Sequence, residues 1–173
     1  MRKSIKLSPI QLIVFGFAAI ILIGALLLCL PFSTRDGSIR FSDALFTSVS
    51  ATCVTGLVMF DTYTKFTFFG QLVILLLIQT GGLGFITIGM IAVFLSGKRV
   101  SLKGKAVLAE SVSLGSIGGV VKYSKMIIRG TFLIEGAAAV LLSIRFIPLF
   151  GFPDGVWCGV FHAISAFCNA GFS

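Results

Sequence analysis

The residues best suited to do chemistry lie in a short segment that the chain contains twice. Residues 46–57 and 161–172 align without a gap, and five of the aligned positions are identical. The identical pairs are Phe46 and Phe161, Ser50 and Ser165, Ala51 and Ala166, Cys53 and Cys168, and Gly56 and Gly171. Each copy begins with apolar residues and ends in small residues and a glycine, which predicts a short helix followed by an extended strand.

The chemistry that such a segment offers is that of its backbone carbonyl oxygens. Extended backbone can turn carbonyls toward one axis, where they replace the hydration shell of a cation. Glycine adopts backbone angles that other residues avoid and adds no side-chain bulk. The candidate ligands are the main-chain oxygens of Cys53, Val54, Thr55 and Gly56 in the first copy, and of Cys168, Asn169, Ala170 and Gly171 in the second. The alternatives are packing or turn glycines, with the cysteines as small packing residues.

The composition predicts that the segments flanking these residues are membrane-spanning helices. Hydrophobic residues make up 57% of the chain, the mean hydropathy is +1.08, and only 12% of residues are charged. No charged residue occurs in 7–34 or in 66–97. About 20 apolar residues cross a bilayer core, so both stretches are long enough. A soluble domain of this size could not bury so much apolar surface.

The predicted fold is an all-α membrane protein built from repeated units of span, short pore helix, filter strand and span. The spans are expected near 8–30, 68–95 and 124–150. The short helices, too short to cross a bilayer, are expected at 43–51 and 156–165, capped by Ser42 and Asp43 in the first case and by Asp154 in the second. The predicted divisions are a first repeat at 1–97, a cytoplasmic loop at 98–121, and an incomplete second repeat at 122–173.

The distribution of the positive charge indicates topology rather than a nucleic-acid partner. The net charge is +8, and basic residues cluster before the first span and between 98 and 129. The positive-inside rule therefore places the N-terminus and the 98–129 segment in the cytoplasm. No aromatic residues alternate with these basic residues in a stacking pattern, which argues against nucleic-acid binding. The only histidine lies in an apolar segment, so no catalytic triad can be built and no enzyme activity is expected.

One carboxylate, Glu135, lies midway along the third span. An intramembrane carboxylate is a functional candidate by default. The alternative is a structural role, as a partner for backbone donors of a short helix or for a polar group of another helix. Pairing with Arg129 is also possible. Gly81 and Gly82 lie inside a span, which favours close helix packing over a nucleotide site.

Several segments of the chain resemble those of a known protein family. Ser50–Leu57 and Ala163–Ser173 resemble the first and second filter loops of the Ktr/Trk family of bacterial potassium uptake proteins. Gln79–Phe85 and the basic segment beginning at Gly97 also resemble that family. The more similar branch is the membrane subunit of Ktr type.

The resemblance implies a pathway surrounded by four repeats, each giving one filter glycine, with Gly56 and Gly171 as the first and second. It implies potassium uptake across the bacterial cell membrane that is stimulated by sodium. It also implies a homodimer in the full-length protein and a cytoplasmic ring of nucleotide-binding regulatory subunits. This chain itself would bind no cofactor, potassium being the transported ion and sodium a candidate coupling ion.

Two repeats cannot enclose an ion, so we expect this chain to be the N-terminal part of a longer protein rather than a truncated gene product. Two other functions stay open from the sequence. One is a truncated, non-conducting membrane subunit that only assembles with others. The other is a weakly selective monovalent cation channel, because single glycines lack the fuller filter sequence of potassium channels.

Overall fold

The computed structural model of the chain describes residues 9–84 and 120–172, and the fold in those ranges is helical. The helices there are α1 (Pro9–Leu28), α2 (Phe41–Thr52), α3 (Thr62–Lys65), α4 (Phe68–Leu83), α5 (Val120–Phe150) and α6 (Phe152–Phe167). Both described ranges lack β-strands, which confirms the predicted all-α class. The prediction of two extended strands after the short helices is wrong, because these segments are irregular loops.

Helices α1, α2 and α4 pack together as a first unit. The Ser48 hydroxyl of α2 donates a hydrogen bond to the Ile21 carbonyl of α1 at 2.7 Å. A side chain at Gly24 of α1 would lie 2.6 Å from the Ser48 hydroxyl and 2.8 Å from the Leu77 methyls. The missing side chain at Gly24 therefore allows the three helices to meet, and Ile74 of α4 is fully buried beside them.

The connections of the first unit pair with each other beyond the helix ends. Thr34 and Phe66 form an isolated antiparallel bridge. The Arg35 amide donates to the Lys65 carbonyl at 2.9 Å. The Lys65 ammonium forms an ion pair with the Asp36 carboxylate at 2.6 Å. These contacts fasten the turn before α2 to the turn before α4, so that the ends of α1 and α4 stay together.

Helices α5 and α6 form a second unit that depends on two glycines of α6. A side chain at Gly155 would lie 2.6 Å from the backbone of Ile147 in α5. A side chain at Gly159, one turn later, would lie 2.8 Å from the backbone nitrogen of Ser143. Because neither position carries a side chain, α6 lies directly against α5 and buries Phe161.

Both short helices begin earlier than predicted and lack the predicted side-chain caps. α2 begins at Phe41, and the Ser42 hydroxyl bonds the Asp43 side chain at 3.1 Å instead of capping the helix. α6 begins just after Gly151, whose φ of 83° turns the chain at the end of α5. Asp154 therefore lies inside the first helical turn, where the preceding proline is also well accommodated.

One helix in the described ranges is long and apolar enough to cross a membrane, the Lys125–Phe150 part of α5. Ile13–Leu28 and Phe68–Leu83 are shorter apolar helices. Leu133 and Leu141 of α5 are 73% and 70% exposed, an apolar surface suited to lipid or to further protein. The end of the predicted second span and most of the predicted cytoplasmic loop lie outside the described residues, so they stay predictions.

Candidate functional site

The repeated segments form matched loops at the C-terminal ends of α2 and α6. We call residues 53–57 the first glycine loop and residues 168–172 the second glycine loop. Val54 and Asn169 have φ of 55° and 57°, and the glycines two positions later have φ of 75° and 68°. Left-handed backbone is uncommon for residues other than glycine, and here it recurs at the same positions. These alternating left-handed residues are the reason that neither segment is a strand.

A serine of each short helix fastens the loop that follows it. The Ser50 hydroxyl donates to the Leu57 carbonyl at 2.6 Å, and the Ser165 hydroxyl donates to the Phe172 carbonyl at 2.7 Å. The backbone carbonyl of each serine also accepts a bond from the loop amide five residues later, at 3.0 Å and 2.7 Å. We did not select the serines as site residues from the sequence, although their identity in the two copies was the available signal.

The carbonyl oxygens of the loops are the groups with unused hydrogen-bonding capacity. Among the described residues, no hydrogen bond ends on the carbonyls of the eight predicted ligand residues, Cys53, Val54, Thr55, Gly56, Cys168, Asn169, Ala170 and Gly171. Four of these residues, Cys53, Thr55, Asn169 and Gly171, are exposed, so the surface of the loops is accessible from outside the described part of the chain. A row of carbonyls without protein partners is suited to replace the water around a cation.

The two glycine loops lie against each other at their glycines. A side chain at Gly56 would lie 3.2 Å from the Ala170 carbonyl oxygen, and one at Gly171 would lie 3.2 Å from the Gly56 Cα. The structure therefore brings together the two predicted ligand sets, which are distant in sequence. A larger residue at either glycine would be strained by the positive φ and crowded by the other loop.

The short helices give the loops a partially negative environment. The C-terminal end of a helix carries roughly half a negative charge from its free carbonyls. α2 and α6 each have an acidic residue in the first turn, Asp43 and Asp154, and no basic residue in the last turn. Both helices therefore direct their negative ends at the loops, which favours cations over anions.

Helix α4 supports both glycine loops from behind through two consecutive glycines. A side chain at Gly81 would collide with the carbonyl of Thr52, the last residue of α2 directly before the first glycine loop. A side chain at Gly82 would lie 2.5 Å from the Cys168 sulfur, in the second glycine loop. The predicted role of these glycines in close packing agrees with these distances, and the packing partners are the loops.

The Glu135 carboxyl faces the first unit rather than a charged neighbour. It is 4% exposed, and its two oxygens accept hydrogen bonds from the Gln79 side-chain nitrogen of α4 at 3.0 Å and 2.9 Å. The described part of the chain contains no ion pair between Arg129 and Glu135. Of the open alternatives, the geometry matches a partner for a polar group of another helix. The sequence singled out Gln79 only as part of the family-like segment and not as a partner of Glu135, although its polarity within an uncharged span was a usable signal.

The sequence matches the model of the cation transport protein family TrkH over residues 9–173. The chain belongs to the TrkH family. It is 47% identical, over 99% of its length, to the Ktr system potassium uptake protein B of Bacillus subtilis. It is 45% identical, again over 99% of its length, to the potassium/sodium uptake protein NtpJ of Enterococcus hirae. The corresponding value for the Ktr system potassium uptake protein B of Vibrio alginolyticus is 36%.

The family membership confirms the resemblance inferred from the glycine loops, and it assigns the chain to a family of membrane cation transporters rather than enzymes. The chain spans 38%, 39% and 38% of the length of these three relatives.

Proposed function

We propose that the protein containing this chain takes up potassium ions through a filter of backbone carbonyl oxygens, to which the two glycine loops contribute two of four sectors. The observation that carries the proposal is the pairing of the loops. They share one φ pattern, leave eight carbonyls without partners among the described residues, and touch at Gly56 and Gly171. Relatives named as potassium uptake proteins support the choice of ion.

The proposal also includes the cellular location, the topology and the assembly of the protein. We place it in the bacterial cell membrane with the N-terminus in the cytoplasm, because basic residues precede the first span and follow the second. A homodimer, stimulation by sodium and a cytoplasmic nucleotide-binding subunit complete the proposal. These three features come from the family resemblance, and the name "Ktr system" of two relatives is compatible with a multi-component transporter.

A second candidate function is a weakly selective monovalent cation pathway. The name of the Enterococcus hirae relative, a potassium/sodium uptake protein, favours this alternative. A filter that supplies one glycine per repeat offers fewer fixed carbonyl sites than a longer filter. Competition between sodium and rubidium for uptake separates the two candidates.

The test is rubidium uptake by potassium-starved, uptake-deficient bacteria that express the complete gene. The variant is Gly56→Asp, which puts bulk and a carboxylate at the contact between the loops. Its matched control is Gly37→Asp, because Gly37 also has a positive φ, of 70°, but has nothing within 4 Å of an added side chain. Both proteins are quantified in isolated membranes.

We expect the wild type and Gly37→Asp to take up rubidium and Gly56→Asp to lose uptake or selectivity while still inserting. Both variants carry the strain of a left-handed residue, about 1–3 kcal/mol, but only Gly56→Asp also pushes a carboxylate against the facing loop. Normal rubidium affinity in Gly56→Asp would overturn the filter assignment. Equal uptake of sodium and rubidium by the wild type would instead favour the weakly selective pathway.

A further inference from the structure

The second glycine loop is joined to the first unit by a chain of three side chains. The Gln79 side-chain nitrogen donates to both oxygens of Glu135 in α5, at 3.0 Å and 2.9 Å. The Cys168 thiol donates to the Gln79 side-chain oxygen at 3.7 Å. One turn along α4, the backbone of Gly82 approaches the same cysteine. Residues from α4, α5 and the loop therefore meet at one amide.

The orientation of this amide follows from its partners. A glutamine side chain has one end that donates and one that accepts. Because the Glu135 carboxylate only accepts, it holds the donor end of Gln79 and leaves the oxygen facing Cys168. Glu135 thus determines which end of the amide reaches the loop. Cys168 directly precedes Asn169, whose left-handed φ of 57° sets the direction of the following carbonyls.

We propose that Gln79 and Glu135 are positioning residues that hold the second glycine loop in register with the first. The inference rests on the proposed function, since register between the loops matters only if they share an ion. Both loops then depend on α4, the first through the contact of Gly81 with Thr52 and the second through Gln79. The pair has no ligand of its own and does not touch the ion.

A second bond between the two units provides a comparison without contact to a glycine loop. The Trp157 indole nitrogen of α6 donates to the Gln71 side-chain oxygen of α4 at 2.6 Å. Gln71 is 4% exposed and also donates to the Phe66 carbonyl at 3.0 Å, so its loss disturbs packing at least as much as a loss at the half-buried Gln79 would. Gln71→Leu therefore reports on packing alone, and Gln79→Leu reports on packing and the loop.

The experiment measures rubidium uptake and its inhibition by sodium in the complete protein, together with the amount of protein in the membrane. The variants are Gln79→Leu, Gln79→Glu and the exchanged pair of Gln79→Glu with Glu135→Gln. The controls are Gln71→Leu and Thr80→Val. Thr80 neighbours Gln79, but among the residues that the structure describes its hydroxyl bonds only the carbonyl four residues earlier in its own helix, at 2.6 Å.

We expect Gln79→Leu to lower the preference for rubidium over sodium by about tenfold, as changes to the outer partners of metal ligands do. Gln79→Glu places two carboxylates together and should be at least as harmful. The exchanged pair restores a donor on one side and keeps an acceptor for Cys168, so its preference should return to within about twofold of the wild type. Thr80→Val should retain the wild-type preference.

Three results would overturn the inference. One is a Gln79→Leu protein with unchanged preference. Another is a loss of preference in Gln71→Leu equal to that in Gln79→Leu, which would make packing the whole cause. The third is an exchanged pair that inserts but transports no better than Gln79→Glu. A wild-type protein without uptake would overturn the proposed function itself, and this result is distinguished by the wild-type arm.

Discussion

The two glycine loops share their backbone and differ in the side chains that hold it. In the first loop the Ser50 hydroxyl is within 2.9 Å of the Thr55 hydroxyl and also bonds the Leu57 carbonyl. In the second loop Ala170 replaces the threonine, and the Ser165 hydroxyl exchanges two hydrogen bonds with the backbone of Phe172. The φ pattern is the same despite this difference. The same backbone is therefore compatible with two different sets of supporting side chains.

The largest expected effect is the loss of either glycine of the pair. Gly56→Ala and Gly171→Ala each add a methyl 3.2 Å from the other loop at a left-handed position. We expect both to reduce rubidium uptake by about tenfold or more, because the methyl adds backbone strain of about 1–3 kcal/mol at the contact between the loops and also pushes against the facing loop. Gly37→Ala, at a left-handed position in open space, is the control. A harmless substitution in one loop only would mean that the two loops are not equivalent sectors.

The next largest effect is a difference in stability between substitutions of the two serines that fasten the loops, Ser50 and Ser165. Ser165→Ala leaves both backbone groups of the buried Phe172 without the serine as partner, and each unpaired buried group costs about 1–3 kcal/mol of stability. Ser50→Ala removes the hydrogen bond to the Leu57 carbonyl. Leu57 is 59% exposed, so water can replace the lost partner. We expect a lower melting temperature for Ser165→Ala than for Ser50→Ala in the detergent-solubilised protein. The reverse order would show that the first loop is the less tolerant one.

The sequence predicted the position and the pairing of the loops but not their conformation. The identical spacing of Ser50, Cys53 and Gly56 in the second copy was sufficient to locate both loops, because an internal repeat fixes the register without any knowledge of packing. The left-handed φ of Val54 could not be predicted, since a β-branched residue disfavours it and favours the strand that we expected. Only the packing of the loop against α4 and its serine makes this conformation stable.

The contacts between the first and second units could not be predicted from the sequence either. The bond between Gln79 and Glu135 joins residues of two separate spans, and no periodicity indicates which residues of separate helices meet. The same limit applies to the helix starts. The Pro153-Asp154-Gly155 segment predicts a turn by its composition, yet it continues as helix because the left-handed Gly151 has already turned the chain.

An exchange of side chains between the loops should have a smaller and unequal effect. Thr55→Ala gives the first loop the residue of the second and removes one hydroxyl contact, worth about 0.5–1.5 kcal/mol. Ala170→Thr is the reciprocal change, but Ala170 is 0% exposed, so the added atoms overpack the site at a cost of about 1–3 kcal/mol. We expect Ala170→Thr to lower the melting temperature more than Thr55→Ala. Equal shifts would contradict the tighter packing of the second loop.

The smallest expected effect is a difference in thiol reactivity. Cys53 is exposed and Cys168 is half-buried, with its thiol bonded to Gln79. A small thiosulfonate reagent should therefore modify Cys53 faster than Cys168 in variants of the complete protein that retain only one of the two. Gln79→Leu should accelerate modification of Cys168 and leave the rate at Cys53 unchanged, because the amide contacts the second loop alone. Equal acceleration at both cysteines would instead mean that α4 supports the loops as one body and that the separate connections of the two loops do not act independently.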